Sequence, residues 1–252
     1  MDLDLKYADR KLDIDELGLK MYSYQVESIC ANIKQTAVRY YLYDERENAV
    51  YWGKKLVEAV LEYFFGEWRR KFGDPTIEIP DVRPSNREHL AKGGGNWLDK
   101  YRFGSAFASA LGMWSELQTM SAFPNLERNR DKIEGKDVFL HYAVAGVLMG
   151  GPGDASCLER IEIVEEGSTK WHKIVIKTMM ALVHKDTEAA QAGFSEYFKY
   201  YYRNQKSRDE FDFHLALEGT LLYHFAKKQG VELGVDDKAL DHMIVFGAND
   251  DE

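Results

Sequence analysis

The stretch KWHKIVIKTMMALVHKDTEAAQAGFSEYFKYYY, residues 170–202, indicates the fold class. Apolar residues recur in it at spacings of three and four, over Lys170–Lys185 and again over Thr187–Tyr202, which is the period of an amphipathic α-helix. The apolar face of the first helix consists of Trp171, Ile174, Val175, Met179 and Leu182, and that of the second consists of Ala190, Phe194, Tyr197, Phe198 and Tyr201. The stretch therefore predicts two successive helices.

Two helices are also predicted near the N-terminus. The first carries an apolar stripe from Tyr22 to Tyr40, and Asp44 followed by Glu47 resembles the start signal of a second. The stripe of the second helix consists of Val50, Val57, Leu61, Phe64 and Trp68 and is broken only by Lys54. We expect these helices to be antiparallel and joined by a very short turn.

The remaining helices are predicted over Trp97–Met120, Asp137–Met149, Leu158–Val164 and Asp209–Gln229. Residues 73–96 contain three prolines and a glycine triplet without helical periodicity, which predicts an irregular loop between the second and third main helices. A surface crossover is favoured for this loop over a binding loop. The sequence therefore predicts an all-α fold, a single globular multi-helix domain over residues 1–252, with Asp137–Met149 and Lys170–Lys185 at its centre.

Composition and charge restrict the class of partner. The chain has 252 residues, 45% of them hydrophobic, and a formal net charge of −9. A phosphate backbone selects clustered Lys and Arg, so nucleic acid is not expected as a partner, whereas a basic protein would be attracted. The sequence shows no signal peptide and no membrane span, which predicts a cytoplasmic protein without membrane contact and with reduced Cys30 and Cys157.

The sequence carries one candidate for metal chemistry. It lacks Glu-x-x-His pairs, His-Glu-x-x-His, a P-loop and Gly-x-Ser-x-Gly. Glu210, His214 and Glu218 are spaced by four and would share one face of the last long helix, where they could hold a divalent metal. The favoured alternative is that Glu218 forms a buried ion pair with a Lys or Arg of another helix. We therefore expect no catalytic residue, no bound metal and no cofactor.

Parts of the chain resemble a bacterial family. MALVHKDTEAAQAGF, residues 180–194, and FDFHLALEGTLLYHFAKKQGVELGVDD, residues 211–237, resemble the end of Imm49-type immunity proteins of bacterial polymorphic toxin systems. WSELQTMSAFP, residues 114–124, and HYAVAGVL, residues 141–148, resemble the middle of that family. About half of the chain is involved. The resemblance implies an all-α protein that binds and blocks the toxic domain encoded by a neighbouring gene, often a nuclease with a basic substrate-binding face.

An acidic surface with tyrosines is the expected binding region, in a 1:1 or a symmetric complex, and a homo-oligomer is compatible with the sequence. The candidate contacts are Asp44, Glu45, Glu47, Asp209, Glu210, Asp212, Asp236 and Asp237. At least one tyrosine should be exposed in each of the runs 40–43 and 200–202, because consecutive helical residues point in different directions. The alternatives are solvated helix caps for each acidic group and, for the function, a helical metalloenzyme or a general helical adaptor.

Overall fold

The computed structural model describes residues 19–66, 76, 97–121, 170–204 and 214–247. These residues form α-helices and connecting turns without any strand, so the all-α prediction is confirmed. The chain divides into two compact units, Met1–Gly104 and Ser105–Glu252. The single domain over residues 1–252 stays a prediction.

The first unit contains a helical hairpin. Helix α1, Leu19–Leu42, and helix α2, Arg46–Phe65, pack along each other, which confirms the short connection that the sequence predicts. Their buried side chains are Val26, Cys30, Ile33, Ala37, Val38, Ala49, Trp52, Leu56, Val57, Val60, Tyr63 and Phe64. The buried face of α2 is therefore rotated relative to the predicted stripe: Val57 and Phe64 are buried, but Val50 and Leu61 are only partly covered.

The beginning of helix α3, Trp97–Ala110, is attached to α1 by two ion pairs. Lys34 Nζ lies 2.5 Å from Asp99 Oδ2, and Lys100 Nζ lies 3.1 Å from Glu27 Oε1. The ammonium of the buried Lys100 also lies 4.7 Å from the centre of the Tyr63 ring. Because two adjacent residues of α3 carry opposite charges and meet opposite charges on α1, the pairs favour one register of the two helices.

The second unit contains a second helical hairpin. Helix α4, Trp114–Ser121, is followed by the hairpin of α5, Lys170–Val183, and α6, Thr187–Asn204, and then by α7, Leu217–Gln229, and α8, Asp237–Leu240. Helix α7 contacts both α5 and α6. The predicted apolar faces are confirmed where side chains are described, because Ile174, Val175, Met179, Leu182, Ala190, Phe194, Tyr197, Phe198 and Tyr201 are all buried.

Glycines allow close approach between these helices. A Cβ at Gly193 would lie 2.2 Å from Thr178 Oγ1 and 3.3 Å from Thr178 Cα, so α6 crosses α5 almost in backbone contact. A Cβ at Gly219 would lie 2.9 Å from Cε1 of Tyr197. The α5–α6–α7 core therefore depends on the absence of side chains at these two positions.

Two predicted helices are interrupted. Trp97–Met120 is divided into α3 and α4 at residues 111–113, where Gly112 has a left-handed φ of 69°. The last long helix begins at Leu217, not Asp209, because Leu215 and Ala216 leave the helical conformation and Ala216 N donates to His242 O at 2.6 Å. His242 thus accepts a hydrogen bond from a backbone N–H that would bond within the helix if the helix were continuous. At the other end of α7, Gly230 has a φ of 69°, the left-handed conformation in which a glycine commonly ends a helix.

Several predictions lie outside the described residues. These are the loop 73–96 except Thr76, the helices Asp137–Met149 and Leu158–Val164, and Cys157. Among the described residues, no helix combines the length and the apolar character needed to cross a membrane.

Candidate protein-binding surface

Three turns in the chain share one backbone geometry. Residues 43–45 join α1 to α2, residues 111–113 join α3 to α4, and residues 184–186 join α5 to α6. In each turn the middle residue is left-handed, with a φ of 58° at Asp44, 69° at Gly112 and 54° at Lys185. The third residue donates its N–H to the carbonyl five positions earlier, and its own carbonyl accepts from the N–H four positions later. Each turn thus ends one helix with a Schellman motif and starts the next.

The surfaces of the three turns differ. At the α5–α6 turn, residues 184–189 are exposed and mostly polar, whereas at the α3–α4 turn the apolar Leu111 is partly covered. At the α1–α2 turn, residues 42–48 are all exposed, and they include Leu42 at 43% and Tyr43 at 77%. Because the backbone is the same in all three, the exposure of large apolar side chains at residues 42 and 43 is not a requirement of the turn.

We define the turn surface as residues 42–48 together with Tyr51. Tyr51 is 47% exposed and lies one helical turn after Glu47, so the two side chains share a face of α2. Leu42, Tyr43 and Tyr51 are three of the four large hydrophobic residues that are exposed in the described part of the chain, the fourth being Phe65. The turn surface therefore combines apolar area with the acidic side chains of Asp44, Glu45 and Glu47.

The three acidic residues of this surface occupy different local positions. Asp44 is the left-handed residue, a conformation that Asp tolerates better than most residues because its short side chain can bond locally. Glu45 is the N-cap of α2 without a capping side-chain bond, and its Oε2 instead accepts from Asn48 Nδ2 at 2.9 Å. Glu47 lies in the first turn of α2, where a carboxylate suits the helix dipole. The predicted Asp44 cap is thus displaced by one residue, to Glu45.

The other predicted acidic contacts are separate from this surface in sequence. Asp236 and Asp237 are exposed at the start of α8, where Asp236 Oδ1 accepts from Ala239 N at 2.7 Å. Asp236 therefore serves as a helix cap, as the alternative interpretation expects. Asp209, Glu210 and Asp212 lie outside the described residues.

The arrangement proposed for a metal site is not formed by His214 and Glu218. His214 is exposed and precedes the interruption at residues 215–216, whereas Glu218 is 3% exposed inside α7. Glu218 Oε2 accepts a hydrogen bond from the hydroxyl of Tyr197 at 3.3 Å. The expectation that these residues share one helix face is therefore wrong, and no group of three potential metal ligands occurs among the residues that the structure describes. Glu210 itself lies outside them.

Two further titratable groups are shielded from solvent, the thiol of the buried Cys30 and the hydroxyl of the partly covered Tyr202. Burial raises the pKa of the Cys30 thiol to about 12, although the nearby Lys100 ammonium lowers it. At neutral pH this thiol is protonated and is a poor nucleophile. The Tyr202 hydroxyl is buried without a hydrogen-bond partner in the described structure, and its pKa is raised to about 12 by burial and by the carboxylates of Asp236 and Asp241. Lys238 Nζ lies 4.0 Å from the centre of that ring.

The sequence located part of the turn surface. The expectation of an exposed tyrosine within residues 40–43 is confirmed by Tyr43. In residues 200–202 it is wrong, because Tyr201 is buried and Tyr200 and Tyr202 are partly covered. Leu42 and Tyr51 are not among the predicted contact residues. The predicted apolar stripe of the first helix ends at Tyr40, two residues before Leu42, which is the signal that Leu42 lies outside the buried face.

Comparison of the chain with protein-family models, with curated proteins and with solved structures finds no match.

Proposed function

We propose that the protein is an immunity protein, which binds and neutralises a cognate bacterial toxin by covering the toxin's active or substrate-binding surface. The observation that carries the proposal is the turn surface, where Leu42, Tyr43 and Tyr51 are exposed beside Asp44, Glu45 and Glu47. The toxin is expected to be encoded by a neighbouring gene, as the resemblance to Imm49-type immunity proteins implies.

Burial of the exposed apolar side chains would supply binding free energy. Tyrosine is enriched at the energetic centres of protein interfaces, because it buries a large area with few rotatable bonds. Leu42 and Tyr51 would add further apolar area to the contact. The polar α5–α6 turn has the same backbone but lacks this surface, which supports recognition by the α1–α2 turn specifically.

The charge of the surface favours a basic partner. The turn surface has three acidic side chains against the single basic side chain of Arg46, and the whole chain has a formal charge of −9. Opposite charges steer two proteins together and raise the association rate, especially at low ionic strength. A nuclease effector, whose active face must attract phosphate, has the complementary charge.

Co-expression tests the proposal directly. The product of the adjacent gene should arrest growth when it is expressed alone, and growth should recover when this protein is co-expressed. The two proteins should co-purify, and their association should be faster at low salt. A control co-expression with an unrelated acidic helical protein should leave the arrest unchanged, which separates specific neutralisation from an effect of charge.

A harmless neighbour, or one that stays toxic in the presence of abundant immunity protein, would contradict the proposed function. Capture of host proteins without any effect on the neighbour would favour a general helical adaptor. Retention of metal through purification, together with loss of stability in chelator, would favour a metalloprotein.

A further inference from the structure

We infer that Tyr43 is the anchor of the turn surface and that it enters a concave site lined by Lys or Arg on the partner protein. The inference rests on the proposed function, because it specifies which residue meets the toxin and what chemistry receives it. The receiving site would be a cationic cleft on the partner protein, of the kind that holds a phosphate chain.

Tyr43 lies at an exposed end of the α1–α2 hairpin. It is the first residue of the three-residue turn at the end of the α1–α2 hairpin and the most exposed large hydrophobic residue in the described structure, at 77%. A side chain that is this exposed at the end of a hairpin turn projects into solvent. An apolar projection buries most of its area when the opposing surface is concave.

Backbone hydrogen bonds make the turn that presents Tyr43 rigid. Tyr43 N donates to Arg39 O at 3.0 Å, Asp44 N donates to Tyr41 O at 3.1 Å, and Glu45 N donates to Tyr40 O at 2.9 Å. The backbone that presents Tyr43 is thus fixed before any partner binds. Binding through a preformed turn avoids the entropy cost of ordering a loop, so more of the interaction energy is retained as affinity.

The chemistry around Tyr43 determines the class of the receiving site. The next two residues along the chain, Asp44 and Glu45, are both exposed carboxylates, and Glu47 follows within the same exposed segment. An acidic cleft would place like charges together, and a purely apolar cleft would leave these carboxylates desolvated and unpaired. A cleft with Lys or Arg at its rim satisfies the carboxylates and accepts the ring.

Exchange of the turns provides the matched experiment. In the first variant, Tyr43→His, Asp44→Lys and Glu45→Asp place the α5–α6 turn residues on the equivalent α1–α2 backbone. In the reciprocal variant, His184→Tyr, Lys185→Asp and Asp186→Glu change only the α5–α6 turn. The Kd for the adjacent gene product is measured by calorimetry for both variants and for the single changes Tyr43→Ala and Tyr43→Phe. Circular dichroism checks that each variant is folded.

Tyr43→Ala and the first exchange should each weaken binding by about 30-fold or more, as at an interface hot spot. Tyr43→Phe should retain most of the affinity, because it keeps the ring, and the reciprocal exchange should bind like the unchanged protein. Inorganic polyphosphate should compete with the unchanged protein for the adjacent gene product, because both would occupy the same cationic cleft.

Unchanged affinity in Tyr43→Ala and in the exchange, while the protein still neutralises the toxin, would overturn this inference and leave the proposed function intact. Equal losses in both exchange variants would also overturn it, because the effect would not be specific to the α1–α2 turn. Absence of competition by polyphosphate would overturn the cationic cleft. Failure of the unchanged protein to bind the neighbour would remove the proposed function and this inference together.

Discussion

Two helical hairpins in the described part of the chain, α1–α2 and α5–α6, have the same turn but different interiors and surfaces. In α1–α2 and α5–α6, three residues connect the helices with the same four backbone hydrogen bonds and a left-handed middle residue. The first hairpin exposes Leu42 and Tyr43 at its turn, whereas the second exposes polar residues there. The backbone motif therefore fixes the path of the chain and leaves the exposed side chains available for recognition.

The two hairpins also differ in how their helices are packed. The α5–α6 pair approaches closely at Gly193 and Thr178, so its geometry depends on the absence of a side chain. In the first hairpin, α1 is instead attached to α3 by the ion pairs Lys34–Asp99 and Lys100–Glu27. We therefore expect added volume to lower the stability of the second hairpin more than that of the first, whereas changes at the exposed turn of the first hairpin should weaken partner binding.

The largest effect is expected for Ile174→Asp in α5. Ile174 is 4% exposed, and an unpaired carboxylate in its place would cost several kcal/mol, comparable with a typical domain stability of about 5–15 kcal/mol. The variant should lose its helical circular-dichroism signal or its cooperative melting. Lys177→Asp is the matched control, because Lys177 is exposed on the same helix and should tolerate the change. A soluble, cooperatively melting Ile174→Asp protein would contradict the core described above. The corresponding prediction for Val144→Asp lies outside the described residues.

Gly193→Ala should have the next largest effect. The new Cβ would lie 2.2 Å from Thr178 Oγ1 and 3.1 Å from Thr178 Cβ, and the repacking should lower the free energy of unfolding by about 2 kcal/mol. Urea unfolding of Gly193→Ala, Thr178→Ala and the double variant forms a double-mutant cycle. Because the hydroxyl is the nearest obstacle, the double variant should regain part of the loss. Additive effects in the cycle would show that the two positions do not restrict each other.

Glycine at the left-handed turn positions should produce a smaller, stabilising effect. Lys185 has a φ of 54°, a conformation that costs a typical L-residue about 1–2 kcal/mol, so Lys185→Gly should raise the midpoint of thermal unfolding. Asp44→Gly should raise it less, because Asp tolerates this conformation better. Gly112→Ala is the opposite control: nothing lies within 4 Å of its Cβ position, so its destabilisation reports the backbone alone. Equal gains at Lys185 and Asp44 would remove the distinction between the two turns.

The smallest effect at neutral pH is expected for His224→Gln, whose influence should appear on acidification. Burial lowers the pKa of His224 from 6.5, and its Nε2 lies 2.8 Å from Ile244 O. The neutral ring donates to this carbonyl and so connects α7 to the C-terminal segment. Its contribution is present above pH 6.5 and is lost as the pH falls through the lower folded pKa, because the unfolded chain then binds the proton more readily. Urea unfolding across the histidine range should show a shallower pH dependence in His224→Gln, and an unchanged slope would contradict this role.

The sequence by itself predicted the helices and most of their buried faces. The period of three and four is a local property, and residues 170–202 satisfied it so regularly that Ile174, Met179, Phe194 and Tyr197 are all buried as expected. The glycine at residue 230 and the short connection before α2 were also readable, because they depend on conformational preferences of single residues. The acidic and tyrosine-rich character of residues 40–47 was likewise visible without a structure.

Only the tertiary structure decided which of these residues are accessible and where the helices are interrupted. The break before α7 arises because the carbonyl of His242, a residue distant in sequence, accepts a hydrogen bond from the N–H of Ala216. This break separates the exposed His214 from the buried Glu218. The α1–α2 turn likewise matches two other turns in backbone geometry, yet its side chains are left uncovered by the rest of the fold. Exposure is a property of neighbours brought together by folding, and helical periodicity along one segment carries no information about them.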